Sequence, residues 1–244
     1  MSRKEFERKS AISQPEILSA VKLKKLAKLY AEVFSAPPWN EVWRCINCNR
    51  FYGPGYVKGI PSPCCSISLV EAYPEDETVN YILDELSQPL AKIELIDNQS
   101  EQLEAFAWGY LIPDVFVFAQ KKWPQSEEIQ NKVIQAISEY TKPELPFYYV
   151  SEVGVSSSLR GKGLGLRLTQ ELLKFGFDNR LPVIFRTNWE SSMMRIAQRL
   201  EMKQIMGPEI EIIDSQIVKT GKITGFVDEI NPDSTLFIIL PNLF

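Results

Sequence analysis

The sequence predicts an α/β (α+β) fold built on a mixed sheet, and three observations predict it. Two runs rich in aromatic and branched residues, Ala105 to Ile112 (AFAWGYLI) and Phe147 to Val155 (FYYVSEVGV), read as buried strands. Helical spacing alternates with strands through the middle of the chain. Strand-like runs then dominate the last third, which gives a mixed rather than a purely parallel sheet.

Taken in order, residues 1–20 are polar and weakly patterned, an N-terminal arm. Val21, Leu23, Leu26, Leu29, Tyr30 and Val33 form the apolar face of a helix, with Lys22, Lys24, Lys25 and Lys28 outside it. Pro37-Pro38 ends that helix, because proline lacks the donor and restricts the residue before it. Residues 45–66 carry all four cysteines, three prolines and three glycines, which is loop chemistry and marks an insertion. Helical spacing returns over 76–87 and 126–140. After the 147–155 strand come a Ser/Gly loop (156–163), a helix to about Phe177, a strand at 181–187 and a helix at 190–200. Strands near 202–206, 209–213 and 235–240 close the chain. No internal repeat is evident from the sequence. Residues 21–244 therefore read as a single domain with the insertion at 45–66.

Composition excludes several chemistries. The 244 residues include no histidine, which removes Ser-His-Asp and Cys-His nucleophiles, His-bearing metal sites and imidazole bases. With 27 Lys+Arg against 31 Asp+Glu, the net charge of -4 argues against broad electrostatic binding to nucleic acid or anionic lipid. No run reaches the ~20 apolar residues that span a bilayer. The charged N-terminus lacks the core of a signal peptide, so a cytoplasmic protein is expected. Its cysteines then read as thiols or metal ligands before disulfides.

The segment Val155-Ser-Ser-Ser-Leu-Arg160-Gly161-Lys162-Gly163-Leu164-Gly165 joins a strand to a helix. Glycines at alternate positions allow a tight turn and close approach to a ligand. The helix N-terminus, with Arg160 and Lys162, attracts an anion and suits a diphosphate. Two known phosphate loops do not fit. Lys162 is followed by Gly163 rather than Ser/Thr, and the third glycine of the dinucleotide fingerprint falls on Leu166 or Leu168. The arrangement resembles the core motif of the GCN5-related N-acetyltransferases: strand, Val-x-x-x-x-Arg-Gly-x-Gly-x-Gly, helix. Val155 and Arg160 to Gly165 match it position by position. The match is firm over about 155–202 and coarse over most of the chain.

The resemblance implies a mostly antiparallel central sheet flanked by helices. It implies acetyl-CoA held by its pyrophosphate on the amides of Arg160, Gly161, Lys162, Gly163, Leu164 and Gly165. The pantetheine arm would run beside the 147–155 strand, where that strand splays from 182–188. A backbone N–H near Val153 would polarise the thioester carbonyl. An amine would then attack directly in a ternary complex, which needs neither histidine nor a protein nucleophile. Family members often place a tyrosine, the proton donor to the thiolate, where this chain has Ala197. The usual asparagine falls near Glu190, and Asn188 is the nearby substitute for contacting the pantetheine amide.

Glu152 is the candidate base, since an attacking amine must lose a proton. Strand alternation puts it on the face opposite Ser151 and Val153. A carboxylate on an apolar strand is costly unless paired or used, and the alternative is a solvated or structurally paired Glu.

Cys45-x-x-Cys48 is one half of a zinc knuckle, and Cys64-Cys65 is a second pair with tighter spacing than a ribbon. A structural zinc on Cys45, Cys48, Cys64 and Cys65 stands beside free buried thiols or a remnant of a lost site. Trp39, Trp43, Phe51 and Tyr52 lie around them, as acceptor-pocket wall or as packing for the loop. Three functions follow: an acetyl-CoA-dependent N-acetyltransferase acting on a primary amine, a non-catalytic acyl-CoA-binding regulatory domain, or a zinc-ribbon interaction module. The charge and the small insertion count against the third. A monomer or homodimer is expected, with the terminal strand as a possible exposed or swapped edge.

Overall fold

The computed structural model describes residues 18–124, 126–213, 216–224 and 234–241. The expected N-terminal arm therefore lies almost wholly outside the described residues. Helix α1 (Ala20–Ser35) is capped by the Ser19 hydroxyl, which accepts from the Lys22 amide at 3.2 Å. Leu23, Leu26, Leu29, Tyr30 and Val33 are buried as the spacing requires, but Val21 is 66% exposed and faces outward. Short strands β1 (Trp43–Arg44), β2 (Phe51–Tyr52) and β3 (Val70–Glu71) make a small antiparallel sheet, ordered β2-β1-β3, around the cysteine segment.

Helix α2 (Glu75–Leu86) leads to β4 (Lys92–Asp97) and β5 (Leu103–Ile112), then to α3 (Val115–Lys122) and α4 (Glu127–Ser138). Strand β6 (Phe147–Val155), helix α5 (Leu164–Asp178), β7 (Val183–Asn188) and α6 (Met193–Arg199) follow. Strands β8 (Lys203–Ile213), β9 (Gln216–Thr224) and β10 (Ser234–Ile239) complete the described chain. The expected strands at 202–206 and 209–213 are one continuous strand.

Seven strands form the central sheet in the order β4-β5-β6-β7-β10-β8-β9. Every neighbouring pair is antiparallel except β6 and β7. Strand β10 lies between β7 and β8, so the expectation of an exposed terminal edge is wrong. Its residues Leu236 to Ile239 are buried on both faces, which an edge position would not require.

Alternation on β5 divides the core. Ala105, Ala107 and Leu111 face α5 and α6, while Phe106 and Trp108 face α1 and α2, and Tyr110 and Ile112 face α3 and α4. No helix of the described residues is long and apolar enough to cross a membrane.

Candidate functional site

Two features of β6 create the site. First, its parallel pairing with β7 lasts only from Tyr148↔Val183 to Val150↔Phe185. Beyond that point β6 pairs with β5 alone and β7 with β10 alone, so a wedge opens between them. Main-chain groups of 151–155 turned away from β5 face this opening without a strand partner. Second, the β5 register shifts so that Trp108 opposes Glu152 while Gly109 opposes Val150. Ser151 is the extra residue of a bulge.

The bulge corrects the simple alternation expected from sequence. Ser151 and Glu152 both face the α2 side: Ser151 donates to Glu85, and Glu152 accepts from Tyr81 at 2.8 Å and Tyr30 at 3.2 Å. Val153 and Val155 pack on the opposite face with the α5 cluster.

On the Glu152 face lies a cavity of about 340 Å³. Aromatic rings line much of it: Tyr30 and Phe34 from α1, Trp39, Phe51, Tyr73, and Tyr81 from α2. Glu41 and Glu152 contribute carboxylates, and Arg44, Lys122 and Arg186 contribute cations. Burial pushes the Glu152 carboxyl up to about 7, partly opposed by the Tyr81 hydrogen bond. Burial likewise raises Glu41 to about 7, against the bond from Tyr73 and the charge of Arg186. Glu85, with its side chain only 3% exposed, behaves differently. Its burial also works to raise it, but Lys122, Ser151, Lys121 and Tyr110 together hold it below the ordinary range. Glu85 is thus a fixed anion, whereas Glu152 and Glu41 change charge near neutrality.

The glycine turn sits at the end of β6. A short 3₁₀ turn, Ser157–Leu159, precedes it. Gly161 and Gly163 have φ of 79° and 83°, and a Cβ at either would meet open space. These glycines are thus required by backbone conformation rather than by packing. Gly163 caps α5 without a side-chain bond, and the first intrahelical bond runs from the Arg167 amide to the Gly163 carbonyl at 3.0 Å. The amides of Leu164, Gly165 and Leu166 precede it and are the donors a helix N-terminus presents.

Arg160 reaches back instead, donating to the carbonyls of Pro37 at 2.6 Å and Val33 at 3.4 Å. Its guanidinium ties the turn to the C-terminal end of α1. Asn188, past the splay on β7, accepts from the Glu190 amide at 2.8 Å. Ala197 is wholly buried in the α5–α6 core, so position 197 offers no acid. Sequence reasoning missed Tyr30, Tyr81, Glu41 and Tyr73. The first two lie on helices read only for their apolar spacing, and no local motif marks any of the four.

The four cysteines are all free and converge, with their Sγ atoms within 4.8 Å of one another. Cys48 Sγ and Cys64 Sγ lie 3.3 Å apart. A tetrahedral ion with Zn–S bonds of about 2.3 Å needs sulfurs roughly 3.8 Å apart, so this set fits such an ion.

No family model matches the chain, and no curated protein matches it in sequence. Solved structures do resemble it. A mosquito arylalkylamine N-acetyltransferase-like protein superposes with a TM-score of 0.51 at 12% identity, covering 91% of this chain and 96% of that one. A Drosophila melanogaster polyamine N-acetyltransferase gives 0.51 at 13% identity, covering 91% and 97%. Arylalkylamine N-acetyltransferase 2 from Aedes aegypti gives 0.51 at 12% identity, covering 93% and 98%. With its splayed parallel pair and the glycine turn between β6 and α5, the chain has the fold of the GCN5-related N-acetyltransferases.

Proposed function

We propose that the protein is an acetyl-CoA-dependent N-acetyltransferase whose acceptor is a primary amine. The observation that carries this reading is the placement of Glu152. It stands one residue past the bulge, at the opening of the β6–β7 wedge, with its carboxyl poised near neutrality on the floor of an aromatic cavity. The pyrophosphate of acetyl-CoA would lie on the amides of 160–165, the helix N-terminus supplying partial positive charge. Lys162 adds charge there, while Arg160 shapes the turn. The pantetheine arm would enter the wedge between β6 and β7, near Asn188.

In the reaction the acceptor enters as an ammonium, drawn by Glu152, Glu41 and the ring faces. Glu152 takes one proton. The free amine attacks the thioester carbonyl, whose developing oxyanion is met by a β6 amide near Val153. The C–N bond forms, the C–S bond breaks, and the nitrogen's second surplus proton passes through water to the departing thiolate, giving the amide and the free thiol. Two of the superposed proteins are named as an arylalkylamine and a polyamine N-acetyltransferase, which agrees with an amine-binding cavity of this kind. We also propose that the cysteines bind one structural zinc, on the chemistry of the four-sulfur set.

The test is an acetyl-CoA thiol-release assay over tyramine, tryptamine, agmatine, spermidine and lysine peptides, paired with calorimetry for acetyl-CoA. Binding with turnover on at least one amine is expected. Ala197 favours one other reading, a non-catalytic acyl-CoA sensor on the same fold. Binding without turnover on any amine would support that reading, and absence of binding would end both.

A further inference from the structure

The segment around the cysteines contains a duplication that spacing alone hides. The Cys45 amide donates to Arg50 O at 2.9 Å, and the Asn49 amide donates to Cys45 O at 2.8 Å. Asn49 adopts a left-handed φ of 56°. Seventeen residues later, the Ser62 amide donates to Ile67 O at 2.7 Å, the Ser66 amide to Ser62 O at 2.8 Å, and Ser66 has φ of 57°. The two turns have the same bond pattern and the same left-handed fifth residue. Cys45 and Cys48 hold positions one and four of the first. Ser62 and Cys65 hold them in the second, and Cys64 brings the fourth sulfur into the cluster. The Ser62 hydroxyl still points inward, 3.4 Å from Cys45 Sγ.

This module has almost no core of its own. Between residues 43 and 71 only Cys45, Ser62 and Leu69 are buried, while Ile46, Phe51, Tyr56, Val57, Ile60 and Ile67 are exposed. Apolar burial therefore cannot hold its shape, and a cross-link at the sulfurs can. The same module builds the outer wall of the cavity. Arg44 precedes Cys45 directly and pairs with Glu77 on α2. Phe51, on the strand after the first turn, stacks on Tyr73 at 5.6 Å. Tyr73 meets Tyr30 edge-on at 5.2 Å, and Tyr30 donates to Glu152. A continuous set of contacts thus runs from the sulfurs to the candidate base.

We propose that a zinc ion on Cys45, Cys48, Cys64 and Cys65 fixes this wall and so sets acceptor recognition, leaving the acetyl-CoA cleft independent of the metal. The ion sits outside the cavity and takes no part in bond making. Loss of the ion frees Arg44, Phe51 and Tyr73 from their positions. The glycine turn, whose ties are to α1, β6 and α6, keeps its shape. The proposal rests on reading the cavity as the acceptor site, but its structural half does not require turnover.

The test uses the full chain, purified without oxygen or chelator. Elemental analysis should give about one zinc per chain. Zinc is then withdrawn with a mercurial and a chelator, the mercurial is removed with excess thiol, and zinc is restored. Amide exchange is followed by mass spectrometry in each state. Exchange at 41–52 and 70–73 should rise at least tenfold on stripping and recover on reloading, with 147–155 and 164–178 unchanged. With the best amine of the panel, the acceptor KM should rise at least tenfold while the acetyl-CoA Kd stays within twofold. A Cys48→Ser, Cys65→Ser variant should reproduce the stripped state. Less than half an equivalent of zinc overturns the proposal. So does unchanged exchange at 41–52 after stripping, or an acetyl-CoA Kd that weakens in parallel. If no amine is turned over, the acetyltransferase reading fails, and zinc content and exchange still decide the metal-held wall.

Discussion

Replacing Glu152 with Gln should lower activity and raise stability together, with the stability gain absent below pH 4.5, growing up to about pH 7 and full above it. The folded protein lifts this carboxyl from an ordinary 4.5 to about 7, chiefly by burial. At about 1.4 kcal/mol per tenfold change in proton affinity, keeping it ionised at pH 8 costs roughly 3 kcal/mol. The sign follows from linkage. A carboxyl raised in the folded state favours folding below 4.5, and that contribution is lost as pH rises through about 7. Gln is neutral throughout, and its carbonyl can accept the same bonds from Tyr81 and Tyr30. For a chain of this size, and with part of the gain lost to water penetration, Glu152→Gln should melt roughly 5 °C higher at pH 8. Below the ordinary value of 4.5, at pH 4, the two proteins should melt together. Turnover should fall by roughly 10²–10⁴-fold, the range for loss of a general base. Wild-type kcat/KM should rise with pH through about 7, and the variant should lack that limb. Calorimetry at both pH values and thiol-release kinetics from pH 5 to 9 make the measurement. A variant that is less stable at pH 8 and retains wild-type turnover would refute both the burial argument and the assigned role.

Other outcomes follow from the same geometry. Tyr81→Phe removes the bond that opposes burial at Glu152, so the lower limb of the pH profile should move to higher pH while the protein stays folded. Gly163→Val forces a branched residue to φ 83° at the mouth of α5, and acetyl-CoA Kd measured by calorimetry should rise at least tenfold. Gly154→Ala drives a Cβ into the Phe106 ring, so denaturant unfolding should show a loss of about 1–3 kcal/mol from overpacking.

Much of this fold was legible because its central strands and the glycine turn are local signals. β6, its turn and α5 stand where the apolar run and the glycines put them. Other elements were not legible. Helix α3 (VFVFAQKK) is written in branched and aromatic residues that favour strands, yet Asp114 caps it and its Val115, Phe118 and Ala119 bury against the sheet. Lys92 to Ile96 are half-buried at every position and Asp97 is exposed, so the burial along β4 does not alternate. Strand β9 follows β8 in an extended hairpin that turn chemistry did not reveal. At the site, Glu152 was recognisable as an odd carboxylate on an apolar strand. Its partners were not, since Tyr30 lies 122 residues away and Tyr81 lies 71 away. The bulge at Ser151 was equally hidden, because nothing in FYYVSEVGV announces an extra residue. It depends on the register that β5 imposes.

The brief contact between β6 and β7 leaves the sheet as two panels, β4-β5-β6 and β7-β10-β8-β9, stitched along a seam of Tyr148, Tyr149 and Val150. Past the last stitch, each panel's border offers main-chain donors and acceptors to whatever lies between. An elongated guest carrying its own amides can close that border as an extra strand does. Its arrival would then join the two panels across the gap.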